Sequence, residues 1–285
     1  MEPVFPPELE REIFETAAVR DPDLIPTLLR VCHRVHAWVE PLLYRVLIIP
    51  DSITPQLAAV QSKPTPFLQN AVRHVLIVYI SSDYRRKEMF NELLSNLSGI
   101  ISLFLDGYIE PDILPVLDKM RLQKLNLSVP DSPGSQWARL TLTHSLFLSV
   151  THLELYWDPD EDQHISWEDW SHLATLAALT HLCLSKALSV DILQPTVTNC
   201  PRLVVVITAF WSSADAWCAS AFAQALTITD PRIVVLVVGD FKEDWEAGAR
   251  RGEDFWTRAE AFVVRKHKGE IERNCYLCEE STTGS

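Results

Sequence analysis

Seven short runs share one pattern: apolar, two residues of any kind, apolar, one of any kind, apolar. Val150, Leu153 and Leu155 show it most plainly. It recurs at Val72/Val75/Ile77, Ile100/Leu103/Leu105, Leu122/Leu125/Leu127, Leu179/Leu182/Leu184 and Ile233/Leu236/Val238, with a weaker copy at Leu203/Val206/Thr208. The copies begin at 72, 100, 122, 150, 179, 203 and 233, so the steps are 28, 22, 28, 29, 24 and 30 residues. Self-similarity at a period of about 20–50 residues is the signature of stacked repeats. The alternating end of each run is a half-buried strand. One such unit cannot bury its apolar side alone, so neighbours stack and share a continuous core. The expected chain is α/β, with a parallel sheet on one side and helices on the other. An ordinary α/β domain with short buried strands is the alternative.

Along a strand, successive side chains point to opposite faces. The row facing away from the shared core is then Leu76, Phe104, Asn126, Glu154, Cys183, Ile207 and Val237, beside His74, Ser102, Lys124, His152, His181, Val205 and Val235. The middle of this outward face is polar. Phe104, Lys124, Asn126, His152, Glu154 and His181 are therefore the candidates for contact with another protein. Its far end is apolar on both faces, and such strands are normally covered twice. Residues 240–268 are helix-prone and carry Phe241, Trp245, Phe255, Trp256 and Phe262, with Gly248 and Gly252 as break points. They are expected to seal the last repeats as a helical cap. A ligand pocket is the rival use of those rings.

Before the repeats, Pro6, Pro7, Glu8 and Leu9 open a helix, with Ile13, Phe14 and Ala17 at helical spacing. Asp21-Pro22 ends it. Leu28, Val31, Cys32, Val35 and Trp38 form a second stripe, and Glu40-Pro41 interrupts the helix before Leu42-Leu43-Tyr44. Three short helices cannot bury much of a core alone and need a neighbour or a partner.

The repeats resemble the irregular leucine-rich repeats of eukaryotic interaction proteins, in spacing and leucines. The N-terminal order resembles an F-box, as found in the expanded F-box and repeat families of mushroom-forming fungi. Phe5 stands where leucine is commoner, and the Asp21–Pro26 connection departs from the usual form. The resemblance implies docking on a Skp1 adaptor, and through it a cullin, by Pro6, Leu9, Ile13, Leu28, Val31, Cys32 and Val35. It implies a non-catalytic substrate receptor of a Skp1–cullin–F-box ubiquitin ligase, which holds a target protein for ubiquitin transfer. The alternative is a repeat scaffold whose N-terminal helices only seal the first repeat. The organisation expected is an F-box-like module over 1–49, a proline-rich connection over 50–71, a leucine-rich-repeat solenoid over 72–240, a helical cap over 241–269 and a flexible tail over 270–285.

Composition narrows the partners. The net charge of −13 argues against a general nucleic-acid binder, which needs a basic face to displace counterions from phosphate. No run of about 18 apolar residues occurs, so no membrane span is expected. The acidic start does not look like a signal peptide. The six scattered cysteines suggest no disulfide frame and fit a reduced cytoplasmic or nuclear setting. Asp158, Asp160 and Asp162 imitate a calcium loop, but Gln163 stands where a glycine is needed and Asp169 where a bidentate glutamate is usual. The loop reads as acidic and exposed, with Trp157, Trp167 and Trp170 available to a basic partner. Cys275 and Cys278 have metal spacing without a fourth ligand. His152 and His181 sit on neighbouring strands, with His74 three strands from His152. No nucleophile turn occurs. No cofactor, metal or catalytic residue is expected.

Overall fold

A computed structural model describes residues 5–49, 55–78, 84–106, 113–129, 142–157 and 166–278. The chain is mixed α/β. Helices α1 (Pro7–Arg20), α2 (Ile25–Leu28) and α3 (His33–Leu43) come first. Strand β1 (Val46–Ile49) follows, then α4 (Pro55–Gln61) and α5 (Thr65–Ala71). Next come β2 (His74–Ile77), α6 (Tyr84–Ser95), β3 (Ser102–Leu105), α7 (Leu114–Leu117), β4 (Lys124–Ser128), β5 (His152–Tyr156), α8 (Trp167–Trp170) and β6 (His181–Ser185). The chain continues through α9 (Lys186–Asn199), β7 (Val205–Phe210), α10 (Ala216–Ala225), β8 (Ile233–Val237), α11 (Phe241–Arg251), α12 (Phe255–His267) and β9 (Leu277–Cys278). The nine strands form one parallel sheet in sequence order, and its two ends do not meet.

The register aligns the pattern. Leu47, Val75, Leu103, Leu125, Leu153, Leu182, Val206 and Ile233 lie side by side across eight strands. Most of this ladder faces the returns, where Leu97, Leu117, Phe147, Leu173, Ile192 and Leu203 close one continuous core. Burying each such side chain stabilises by about 1.5–3 kcal/mol, so this core dominates the energetics.

Three expectations need correction. Tyr44, Leu47 and Ile49 complete another copy of the pattern, and Val46–Ile49 is a strand paired with β2 where a helical module was expected. In β8 the register is three residues off the expected one: Val206 pairs with Ile233 where Leu236 was expected, and Thr208 with Val235 where Val238 was expected. Ile233 and Val235 therefore face the main core, while Val234, Leu236 and Val238 face outward. A strand apolar on both faces carries no alternation from which to read its register. Residues 270–278 are not a loose tail. Tyr276 is buried with its hydroxyl on the Ile228 carbonyl, and Leu277–Cys278 extend the sheet past β8. The connection is also more helical than expected, since α5 buries Leu68 and Ala71.

The C-terminal helices lie across the sheet. As expected, α12 covers the last strands, and α11 extends the cover beyond them. Helix α12 packs Phe255, Trp256, Ala259, Phe262 and Val263 onto Cys183, Val205, Ile207 and Val234, forming a second core. Asp254 starts it with a capping box to Thr257. The break falls at Gly252, which has φ 78° and ends α11, while Gly248 stays inside that helix. Helix α11 runs on over the earlier strands and touches β1 and α1.

Lys266 of α12 is 1 % exposed. Its Nζ donates to the Ile233 carbonyl at 2.7 Å and sits 5.0 and 5.1 Å from the Phe262 and Tyr276 rings. Burial lowers its pKa from 10.5 to about 8. Between those values the unfolded chain binds the extra proton, so this lysine makes stability rise with pH. Relative to Lys266→Met, the wild type should gain on the order of 3 kcal/mol between pH 7.5 and 11, at about 1.4 kcal/mol per pKa unit. Urea unfolding of both proteins checks this, and a gap constant over that range contradicts it.

Candidate functional site

The first candidate face lies on the N-terminal helices. Pro7 at the first helical position and Glu8 and Glu10 in the first turn start α1. One side of the group makes a small core of Ala18, Ile25, Val35 and Val39, with Phe14, Leu28 and Trp38 against it. The other side is apolar and open. Leu9 is 48 %, Ile13 53 % and Val31 55 % exposed, and Pro6 and Cys32 are exposed as well. Of the seven residues singled out, Leu28 and Val35 point inward, Val35 being fully buried. Phe5 and Leu24, not among the seven, join the open side and line one groove with Leu9 and Ile13. Leu9 and Ile13 are spaced by four on α1, and Phe5 reaches the same groove from the turn before the N-cap Pro6.

The second candidate face is the polar row of the sheet, and it is not free. Asn126, Glu154 and His181 are buried. Phe104 stacks on Phe241 with ring centres 5.3 Å apart. Lys124 donates to Asp254 at 2.7 Å. His152 and His181 stack at 4.0 Å, and the edge of Trp256 meets both at 5.2 and 6.0 Å. The row was expected to meet a target; instead α11 and α12 occupy it. Alternation identified which residues face outward, but nothing local says that residues far along the chain return to cover them.

Burial sets the electrostatics under this cover. It pushes Glu154 up to about 8, with Asp244 adding to the rise and a hydrogen bond from Asn126 opposing it. It lowers His152 to about 3, helped by His181 and Lys124. It lowers His74 to about 4, helped by Arg45, Lys124 and Arg73. At neutral pH these three groups carry no charge. The space between α11 and the sheet is about 40 Å³, room for a few water molecules and not for a substrate.

The remaining expectations fall elsewhere. Trp157 and Trp170 are core residues at 3 % and 0 % exposed, so the second acidic-loop idea, a tryptophan surface for a basic partner, loses two of its rings. Residues 158–165 of that loop, with the calcium-like acids, lie outside the described residues. Cys275 is exposed and Cys278 half-buried, both unbridged. Among the described residues no group of three or more metal-binding side chains comes together. No helix among them is long and apolar enough to cross a membrane. A scan of protein families found no matching model, and no curated protein and no solved structure matches the chain at a significant level.

Proposed function

We propose that the chain is a non-catalytic receptor. Its F-box-like N-terminal helices dock on a Skp1-type adaptor of a cullin-based ubiquitin ligase, and its leucine-rich-repeat body holds a target protein. The observation that carries this reading is the open apolar face of Phe5, Leu9, Ile13, Leu24 and Val31. Those helices already bury Val35, Val39, Ala18 and Ile25 against one another, so the second apolar face is surplus to their own folding. Surplus contiguous apolar surface marks an interaction site. The parallel sheet and its in-register pattern support a solenoid, in which one strand and one return form each unit. The mechanism is proximity: tethering raises the effective concentration of the target at the ubiquitin-charged enzyme.

A second reading keeps the body as an interaction scaffold and makes the N-terminal helices its cap. Its support is that Tyr44 meets Phe67 edge-on at 5.3 Å, and Lys63 pairs with Glu40 at 2.8 Å, tying the α3 end to the first repeat. The two readings separate in co-expression with a fungal Skp1, followed by size-exclusion chromatography. Wild type should co-elute with the adaptor, and Leu9→Asp with Val31→Asp should abolish the complex. Both positions are half-exposed, so the helical circular-dichroism signal should survive. A wild type that elutes free, or a folded double variant that still binds, sinks the docking reading in favour of the cap.

A further inference from the structure

Helices α11 and α12 cover the same sheet in different ways. Helix α12 buries six of its residues, among them Phe255, Trp256 and Phe262. Helix α11 has no fully buried residue. What it turns to the sheet is spaced for a groove: Phe241, Trp245, Gly248 and Ala249 line the small space over Phe104, Asn126 and Glu154. These are positions i, i+4, i+7 and i+8, the anchor spacing of a helix lying in a groove. Both ends of α11 are closed by its own residues, and Asp244 ties its middle to α12. Asp240 caps it by accepting from the Lys242 and Glu243 amides, Glu246 pairs with Arg250 at 2.7 Å, and Gly252 ends it in the left-handed conformation. It is flanked by Gly239 and Gly252, and an added Cβ at either would meet nothing within 4 Å. Asp254, which binds Lys124, lies beyond that second glycine and belongs to α12, so the anchor to β4 stays when α11 leaves.

We infer that the outward face over β3–β5 is a helix-binding groove that α11 fills in cis and that an external helix takes over. Its departure would leave two groups without partners. Asp244 accepts from Arg258 at 2.6 Å and from the Phe255 amide at 2.9 Å. The Arg258 side chain is a third exposed and can turn to water, so a helix that restores the carboxylate is taken in preference to one that lacks it. The occupant is therefore an amphipathic helix with aromatic residues at i and i+4, an acid at i+3 and small residues at i+7 and i+8. The small residue at i+7 is required, because a Cβ on Gly248 would come within 2.6 Å of Asp254. On the receptor reading, which this inference extends, such a helix is the recognition element of the target.

The test uses full-length protein and no adaptor, so it succeeds or fails independently of the docking reading. Phe241→Asp with Trp245→Asp removes the two anchors of the resident helix. A fluorescein-labelled peptide of residues 239–252 is then added in trans and followed by anisotropy. The variant should bind it saturably and at least tenfold more tightly than wild type, whose own helix competes at an effective concentration in the millimolar range. A peptide carrying the same two aspartates should not bind. Absent binding to the folded variant, equal binding to both proteins, or binding of the aspartate peptide overturns the inference. A variant mass doubled in light scattering before peptide is added also overturns it, by giving the groove to a second copy. Should the variant not fold, amide exchange of the wild type decides: amides of 241–251 should exchange at least tenfold faster than those of 255–267, and equal protection overturns the groove.

Discussion

Glu154→Gln should leave stability unchanged near pH 4.5 and raise it progressively above that, by on the order of 5 kcal/mol at pH 8 and beyond. Glu154 lies on β5 beneath the cover, about 6 % exposed. Its carboxyl has an ordinary pKa of 4.5 and a folded value of about 8. Between those values the folded protein holds a proton that the unfolded chain has released. Stability is therefore fully present below 4.5 and is lost as pH rises toward 8. At about 1.4 kcal/mol per pKa unit the loss reaches the figure above. Glutamine has the same shape, keeps a carbonyl for the Asn126 amide and cannot ionise, so its profile lacks this slope. Urea unfolding of both proteins from pH 4.5 to 9 checks the prediction. Parallel profiles would mean that the folded carboxyl reaches water or a cation, and that the cover is not closed over it.

Trp256→Ala should cost about 3–5 kcal/mol, the usual range for deleting a buried aromatic side chain. Trp256 is 6 % exposed and sits where the two kinds of cover meet. It tilts against Phe255 at 4.6 Å and presents its edge to the stacked His152 and His181. Removing it opens a cavity beside the stacked His152 and His181 rings. Trp217→Ala is the matched control. That indole on α10 is 79 % exposed, and its loss should fall within about 0.5 kcal/mol of neutral. Urea midpoints at pH 7 compare the two. A Trp256 variant as stable as the Trp217 variant would show that α12 contributes little to holding the fold together.

Together these predictions describe a sheet with two unlike faces. The returns fill one with leucines, and the polar middle of the other is closed by the chain's own C-terminus. Among the described residues, Phe5, Leu9, Ile13 and Leu24 form an open apolar groove on the N-terminal helices.

The sequence by itself determined the strands and their parallel sheet. Strands β2 to β7 each carry apolar side chains at alternate positions, and most of these strands were half-polar, so the period, the parallel pairing and the inward residues were readable before any coordinates. Leu9 and Ile13 share a face by helical spacing, but Val31 falls in the turn between α2 and α3, and only the resemblance to an F-box singled these residues out. Local pattern failed where it carried no contrast. In β8 both faces are apolar and the register slipped by three residues, which exchanges the two faces. At Tyr44, Leu47 and Ile49 the same residues suit a helix end and a strand. The two residues of β9 are too few to show any period. Only the tertiary structure decided what covers the polar row, because alternation reports which way a side chain points and never what returns to meet it. Lys124 and Asp254 are 130 positions apart in the chain and 2.7 Å apart in space. That contact exists because the apolar strands β7 and β8 need a second cover and draw α12 onto the sheet, which carries α11 across Glu154 with it.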